Sequence, residues 1–244
     1  AAGVHEWFIM GSGEPMMRPE LLMNLCAKIR AHGMIGHIQS NGCLFTRAHL
    51  EHLVDIQWNT LRISLDGPDE STNDRIRSKT SFKRATENLK LLAEIKRERA
   101  SAAPTVILYA VLTSLNGDRL DQLVDLAHET GAESIELSTM VLHSEEGRPF
   151  LLTEAQKAAL PEHLEKAAAR AKTLGIHDNF AIYLNPEIAA NPNDMHPRAA
   201  KPSGLLLAAP CFMPWLHMVI LFNGGAGPCC MYDDEFHEES NSIA

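Results

Sequence analysis

Short apolar runs alternate with longer amphipathic segments along the first 140 or so residues of the chain. The apolar runs predict strands at residues 5–10, 35–39, 60–65, 105–114 and 134–142. Helical spacing of apolar positions occurs at residues 19–32, 47–55, 81–99 and 118–130. Strands separated by single helices form right-handed βαβ units. The pattern therefore predicts an α/β fold with a parallel sheet, either doubly wound or barrel-like.

The pattern changes after residue 142. An alanine-rich helical pattern covers residues 153–174, and a proline-rich stretch up to residue 210 predicts a loop. Residues 215–230 then alternate like one arm of a hairpin, with a turn at residues 223–225 and two adjacent cysteines at the end. We place a domain boundary near residue 200, so that residues 1–200 form the core with its helix and linker, and residues 201–244 begin a smaller domain.

Composition excludes several classes of protein. The chain is 45% hydrophobic and 22% charged, as in soluble globular domains, which excludes disordered, collagen-like and coiled-coil chains. A net charge of −9 repels phosphate backbones and anionic lipid, so we expect neither a nucleic-acid nor a membrane partner. The five cysteines have irregular spacing and form no secreted disulfide framework, which favours the reducing cytoplasm.

The ends of the first three predicted strands carry polar sequences. The first strand is followed by Gly11, Ser12, Gly13, Glu14 and Pro15, the second by Ser40, Asn41 and Gly42, and the third by Ser64 and Asp66. Ligands of parallel α/β folds bind at the carboxyl ends of the strands, and glycines let a ligand approach the backbone. An ordinary strand-to-helix turn is the alternative for each segment taken alone, above all for the second.

The order of these segments resembles the core of the radical S-adenosylmethionine enzymes. GSGEP, SNG and SLDG, followed by DRIRSKTSF, stand at three successive strand ends, and the resemblance covers about residues 5–142. It implies a partial (β/α)6 TIM-like barrel that binds S-adenosylmethionine. By this resemblance, the segment Gly11–Pro15 receives the amino group of the cofactor. Its ribose and carboxylate would lie near Ser40, Asn41, Ser64 and Asp66. Arg77 is a candidate partner of the carboxylate, and Asn116 stands where the family often has an asparagine near the cofactor.

The chain departs from the family in one respect. Family members carry a C-x3-C-x2-C motif whose thiolates bind a [4Fe-4S] cluster, and this motif does not occur in the sequence. Cys26 and Cys43 have no second cysteine at ligand spacing, so we expect both to be buried or neutral thiols. We expect the motif and the first βα unit to lie upstream of Ala1. The chain is then a fragment of a longer protein, and the fragment alone would be inactive.

A second metal signal lies near the C-terminus. Cys211, Gly224 and Cys229 have the spacing of the cysteine-rich SPASM or twitch extensions that follow many of these barrels, and Cys230 repeats a Pro-Cys-Cys sequence often seen there. This resemblance implies that Cys211 and either Cys229 or Cys230 bind an auxiliary iron–sulfur cluster, with further ligands beyond Ala244. A reduced cysteine pair at the end of a hairpin is the alternative.

The resemblance also implies a function for the complete protein. A reduced cluster would cleave S-adenosylmethionine to a 5′-deoxyadenosyl radical, and this radical would take hydrogen from a peptide, a protein or a small molecule in a maturase-type reaction. An electron donor such as flavodoxin or ferredoxin would be a partner. Two other classes stay open: a radical-free parallel-sheet enzyme, and a degenerate barrel that binds a ligand or partner without catalysis.

Overall fold

The computed structural model describes residues 3–11, 13–77, 81–140, 142, 144–184, 218–220 and 225–227. Contacts between Cα atoms divide the chain into two compact units. The first contains residues 1–10 and 14–199, and the second contains residues 11–13 and 200–244. Ser12, Cys211, Cys229 and Cys230, which the sequence analysis selects, lie outside the described residues.

The first unit contains a six-stranded sheet, within the described residues, whose strands are all parallel and lie in chain order. The strands are β1 (Glu6–Ile9), β2 (Ile35–Ser40), β3 (Thr60–Ser64), β4 (Thr105–Leu112), β5 (Ser134–Thr139) and β6 (His177–Asp178). This sheet confirms the predicted α/β fold. The described part of β6 does not pair with β1, so the sheet is open. The sequence analysis missed β6, because a strand of two residues has no periodic pattern.

Helices connect the strands on one side of the sheet. They are α1 (Pro19–Ala31), α2 (Arg47–Asp55), α3 (Glu70–Ile76), α4 (Ser81–Glu98), α5 (Leu120–Thr130), α6 (Glu154–Leu174) and α7 (Phe180–Tyr183). The ends of the predicted helices follow local signals: Thr46 caps α2 in a capping box, and Gly131 ends α5 with a φ of 77°. Helix α3 was not predicted, because its residues have no apolar spacing.

One face of the sheet forms the core with the helices. Ile38, Leu61, Leu108 and Ile135 are fully or almost fully buried on successive strands and belong to one contiguous apolar cluster with residues of the helices. The residues between them point to the opposite face, because side chains alternate along a strand. The opposite face carries polar, charged and aromatic side chains, and the carboxyl ends of the strands border it.

The described residues of the C-terminal part of the second unit include a short antiparallel pair of strands. Strand β7 (Val219–Ile220) pairs with β8 (Ala226–Gly227), with Val219 opposite Gly227. These strands agree with the predicted hairpin, whose turn residues 223 and 224 lie outside the described part of the chain. In the described residues no helix combines the length and the apolar character that crossing a membrane requires.

Candidate functional site

The carboxylate of Glu14 joins the ends of β1 and β2. Its Oε1 atom accepts hydrogen bonds from the hydroxyl of Ser40 at 2.6 Å and from the backbone N–H of Met16 at 3.0 Å. Its Oε2 atom accepts from the backbone N–H of Asn41 at 2.8 Å. Ser40 is buried. Three donors thus hold the Glu14 carboxylate against the turn that follows β2, and charge-assisted bonds of this kind are stronger than neutral ones.

The turn after β2 is stabilised by its own side chains. The Oδ1 atom of Asn41 accepts from the backbone N–H of Cys43 at 2.8 Å, and the hydroxyl of Ser40 accepts from the backbone N–H of Gly42 at 3.0 Å. Gly42 has a φ of 77°, and a Cβ atom there would lie 2.9 Å from the Ile63 side chain. The turn therefore requires glycine at this position. It leaves the Nδ2 atom of Asn41 without a hydrogen-bond partner among the described residues.

Asp66 joins the ends of β3 and β4. Its Oδ1 atom accepts from the backbone N–H of Val111 at 2.7 Å, and its own backbone N–H donates to the Oδ1 atom of Asn73 at 2.9 Å. Its Oδ2 atom lies 2.6 Å from the Nε atom of Arg77. The Nε–H group of Arg77 is buried but does not point at an acceptor, so this contact is an ion pair rather than a directed hydrogen bond. Asp66 itself is buried.

Asn116 is fully buried between the same two strand ends. Its Nδ2 atom donates to the carbonyl oxygens of Asp66 at 2.7 Å and of Val111 at 2.8 Å. Its Oδ1 atom accepts from the backbone N–H of Thr113 at 2.8 Å. Both amide N–H groups and the amide oxygen are therefore engaged by backbone groups. The side chain fixes the spacing of the ends of β3 and β4 and presents no surface to a ligand.

The sequence analysis missed the residues that support Asp66 from α3. The Nδ2 atom of Asn73 donates to the hydroxyl of Ser81 at 2.9 Å, and Asn73 is fully buried. Asp69 caps α3 by accepting from the backbone N–H of Thr72 at 2.8 Å, and it pairs with Arg119 at 2.5 Å. The aspartate before a short polar segment is an N-cap signal that could have located α3.

Asp69 is the most strongly shifted carboxyl of this region. The hydroxyl of Ser71 and the backbone N–H of Thr72 donate to its carboxylate, and the Arg119 guanidinium lies beside it. Against the opposing effect of partial burial, these donors lower the pKa of Asp69 well below its usual range. The charged form therefore stabilises the link between α3 and the start of α5.

The remaining predicted residues contribute backbone and hydroxyl groups. A Cβ atom at Gly11 or at Gly13 would meet no atom of the described residues within 4 Å. Pro15 begins a short 3-10 turn that leads into α1. Ser64 is the last residue of β3, pairs with Tyr109 in the sheet register and is buried. The ends of β1 to β4 thus bring Glu14, Ser40, Asn41, Ser64, Asp66, Arg77 and Asn116 to one edge of the sheet.

The described cysteines do not form a metal site. Burial raises the pKa of the Cys26 thiol to about 12, and Cys26 is completely buried in α1. The pKa of Cys43 is also raised, first by burial and then by the charge of Glu14. The raised pKa values favour the neutral thiol at both cysteines. In the part of the chain that the structure describes, no group of three metal-binding side chains is close enough to hold an ion or an iron–sulfur cluster.

Two curated relatives share part of their sequence with the chain. The PqqA peptide cyclase of Ruegeria pomeroyi is 30% identical over 171 residues, which cover 70% of this chain and 42% of the relative. The mycofactocin maturase MftC of Mycobacterium tuberculosis is 32% identical over 123 residues, which cover 50% of this chain and 30% of the relative. The chain thus spans less than half the length of each of these relatives.

Solved structures share the fold. The crystal structure of Streptococcus suis SuiB bound to S-adenosylmethionine matches with a TM-score of 0.65 and 18% identity, over 94% of this chain and 50% of that one. At this identity the match concerns the fold alone. The sequence profile of the Radical SAM superfamily matches residues 2–127, which contain the ends of β1 to β4. The chain belongs to the Radical SAM superfamily.

Proposed function

We propose that the chain is the S-adenosylmethionine-binding part of a radical SAM enzyme that modifies a peptide. One observation carries this proposal: four strand ends bring the predicted residues to one edge of a parallel sheet, within the segment that the superfamily profile covers. The name of one relative, a peptide cyclase, supports a peptide substrate. Because the chain spans less than half of each of the two relatives, the reaction of the whole protein belongs to the proposal.

The site residues divide into two groups by the use of their polar atoms. The side chains of Glu14, Asp66 and Asn116 are engaged by neighbouring backbone groups, and we assign them to holding the strand ends in place. Among the described residues, neither the amide N–H2 group of Asn41 nor the terminal nitrogens of Arg77 have an acceptor. These two residues are therefore equipped to bind a ligand directly.

The chemistry of the free groups fits S-adenosylmethionine. A guanidinium group prefers a carboxylate, which it binds through two parallel hydrogen bonds, so we assign the methionine carboxylate to Arg77. The side chain of Arg77 is partly exposed, which leaves its terminal nitrogens accessible. The amide of Asn41 can donate to a ribose hydroxyl or to the same carboxylate. The space that the described residues leave beside Gly11 and Gly13 agrees with close approach of a ligand to the backbone at those residues.

In this family S-adenosylmethionine supplies the radical that takes hydrogen from the substrate, and this chain binds and orients it. The described residues do not fit an iron–sulfur cluster, so we derive no step through one. Cys211, Cys229 and Cys230 lie outside the described residues, and their binding of an auxiliary cluster stays a prediction. The same holds for an electron donor such as flavodoxin or ferredoxin.

Binding of S-adenosylmethionine by an Asn41→Asp variant tests the proposal. The change keeps the oxygen that accepts from Cys43, so the turn survives, but it removes the free N–H2 group and adds a negative charge. We expect the dissociation constant, followed by saturation-transfer NMR, to rise about tenfold or more. Asn24→Asp makes the same chemical change on an exposed face of α1 and should bind like the wild type. Equal affinities of the two variants would contradict the proposal.

A further inference from the structure

A row of aromatic and charged side chains crosses the face of the sheet that points away from the helices. We call it the inner-face row, and its members are Phe8, His37, Arg62, Tyr109 and Glu136, one from each of β1 to β5. Parallel barrels usually fill this face with branched aliphatic side chains. A charged and aromatic row in the same place is suited to a polar ligand. The row is separate from the strand-end residues, and the proposed function gives it no role.

Arg62 lies at the centre of the inner-face row. The Cζ atom of its guanidinium is 6.0 Å from the ring centroid of Phe8 and 6.0 Å from that of Tyr109. Its Nη2 atom lies 2.9 Å from the Oε2 atom of Glu136, and the two side chains are 24% and 27% exposed. The rings flank the guanidinium with favourable cation–π geometry and restrict its orientation. Arg62 is therefore a positioned cation, still accessible from the inner face.

Much of the hydrogen-bonding capacity of Arg62 is unused. A guanidinium has five N–H donors, and Glu136 is its only acidic partner among the described residues. The Nε–H group is buried without an acceptor, so any further bond must come from the terminal nitrogens. A half-buried ion pair of this kind contributes little to folding, because desolvation of the two charges offsets their attraction. The pair is stabilised most when a second acceptor binds the guanidinium of Arg62.

Contacts among the neighbouring side chains of the inner-face row restrict the positions of Phe8 and His37. The ring of Phe8 stacks on the ring of His37, with centroids 4.3 Å apart and an angle of 13° between the planes. The Nε2 atom of His37 lies 2.7 Å from the Oε1 atom of Glu6, which fixes the histidine. Phe8 is nonetheless 45% exposed. An apolar ring surface thus lies beside the terminal nitrogens of Arg62.

We infer that Arg62 binds a carboxylate of the substrate, with Phe8 and Tyr109 as the apolar walls beside it. Carboxylates match the guanidinium fork in charge and geometry, and no other common peptide group offers two anionic acceptors. This inference rests on the proposed function, because it takes the substrate to be a peptide. The carboxylate belongs either to an acidic side chain or to the end of the peptide chain.

The position of Glu136 predicts in which direction its substitution changes carboxylate binding. The carboxylate of Glu136 already occupies the Nη2 atom, so it competes with a ligand for the guanidinium and repels its charge. Glu136→Gln removes the charge and keeps the size of the side chain. If Arg62 binds the substrate, this variant strengthens carboxylate binding. If the pair only stabilises the fold, the variant leaves binding unchanged.

Short blocked peptides test the inference on the complete chain. The probes are acetyl-Ala-Glu-Ala-amide, its glutamine counterpart, and acetyl-Ala-Ala-Ala with a free terminal carboxylate, titrated by NMR. We expect one of the two carboxylate peptides to bind at least about tenfold more tightly than the glutamine peptide. Arg62→Lys should abolish most of this preference, because lysine lacks the planar fork. Arg97→Lys, on the exposed end of α4, is the matched control and should keep it.

Three results would overturn the inference. They are no carboxylate preference in the wild type up to about 10 mM peptide, an unchanged preference in Arg62→Lys, and no gain in Glu136→Gln. A parallel titration with S-adenosylmethionine separates the sources of the carboxylate. If Arg62→Lys weakens binding of the cofactor but not of the peptides, the substrate assignment is wrong. Loss of peptide preference with normal cofactor binding in the wild type rejects this inference alone, whereas absence of cofactor binding in the wild type rejects the proposed function.

Discussion

The carboxylate of Glu14, just after β1, accepts a hydrogen bond of 2.6 Å from the hydroxyl of Ser40, at the end of β2. The same carboxylate accepts from the backbone N–H of Asn41. The acidic residue of the GSGEP segment is thus directed at the neighbouring strand end. Its role in the proposed site is to position Asn41, which then binds the ligand.

Glu14→Gln tests this positioning role. One oxygen remains to accept from Ser40, but the amide nitrogen then faces the backbone N–H of Asn41, so two donors meet. We expect the free energy of unfolding, measured with urea, to fall by about 1–3 kcal/mol. Binding of S-adenosylmethionine should weaken as well. Glu87→Gln, on the exposed face of α4, is the control for loss of a surface charge.

An unaltered urea midpoint for Glu14→Gln would show that its three hydrogen bonds do not hold the turn. A variant that loses stability but binds the cofactor normally would separate the turn from the site. Either result would reject the role of Glu14 in positioning Asn41.

Two variants of Asn116 test whether its side chain holds the ends of β3 and β4 together, and we predict which of the two is less stable. Asn116→Ala leaves two carbonyl oxygens and one backbone N–H without their buried partner, and we expect a loss of about 2–4 kcal/mol in the free energy of unfolding. Asn116→Asp replaces the donating group by an oxygen that faces the carbonyls of Asp66 and Val111. It should be the less stable variant of the two. The ranking would be refuted by an aspartate variant as stable as the wild type in urea denaturation.

Gly13, which follows β1, and Gly36, near the start of β2, differ in what surrounds them. A Cβ atom at Gly13 would meet no atom of the described residues within 4 Å, whereas one at Gly36 would lie 2.0 Å from the ring of Trp58. Gly36→Ala should therefore lower the free energy of unfolding by about 1–3 kcal/mol through overpacking. Gly13→Ala should leave the thermal midpoint unchanged but weaken binding of S-adenosylmethionine, since the added methyl group occupies space assigned to the ligand. Full cofactor binding by Gly13→Ala would remove this glycine from the proposed site.

Asp69 predicts a pH dependence of stability. Its pKa is lowered in the folded chain by donation from Ser71 and Thr72 and by Arg119, so its charged form is favoured by folding. The resulting stabilisation is complete above about pH 4, the ordinary value of an aspartate, and is lost as the pH falls through the lowered value. Asp69→Asn should flatten this part of the curve of unfolding free energy against pH.

Urea denaturation between about pH 6 and pH 2 measures the effect. Asp118→Asn, at an exposed position before α5, is the control and should follow the wild type. Equal slopes for Asp69→Asn and the wild type would show that the cap of α3 does not depend on the charge.

The cysteines divide into two groups by environment and by sequence pattern. The raised pKa values of Cys26 and Cys43 favour the neutral thiol, so alanine variants should not change the iron content after anaerobic reconstitution. Cys211 and either Cys229 or Cys230 belong to the predicted auxiliary site, so Cys211→Ala in the complete protein should lower the iron and sulfide content. Loss of iron in Cys43→Ala with retention in Cys211→Ala would reverse the assignment.

Periodicity predicted the first five strands and the long helices, because each buries one face against the core. It could not predict α3 (Glu70–Ile76), which depends on the cap at Asp69 and on Arg119, a residue 50 positions further along the chain. The motifs likewise located the strand ends. They could not show that backbone groups occupy all the hydrogen-bonding atoms of the Asn116 side chain. Those bonds depend on the distance between the ends of β3 and β4, which only the folded sheet sets.

The inner-face row was also beyond the sequence. Arg62 stands in an apolar strand pattern, and nothing in that pattern reveals that Phe8 and Tyr109 flank it or that Glu136 pairs with it. These contacts join residues from four strands, and they follow from the parallel register of the sheet. Only the three-dimensional arrangement distinguishes a positioned arginine from an ordinary surface charge.

A map of backbone amide shifts during titration of the chain with S-adenosylmethionine shows where the ligand binds. We expect the largest changes at the amides of residues 41–43, 64–66 and 111–116, at the carboxyl ends of β2, β3 and β4, and at Gly11, Gly13 and Arg77. Small or no changes are expected at α4 and α5, on the opposite side of the sheet. Saturable shifts confined to these strand-end residues and to Gly11, Gly13 and Arg77 would support the proposed site, and shifts elsewhere, or none, would contradict it.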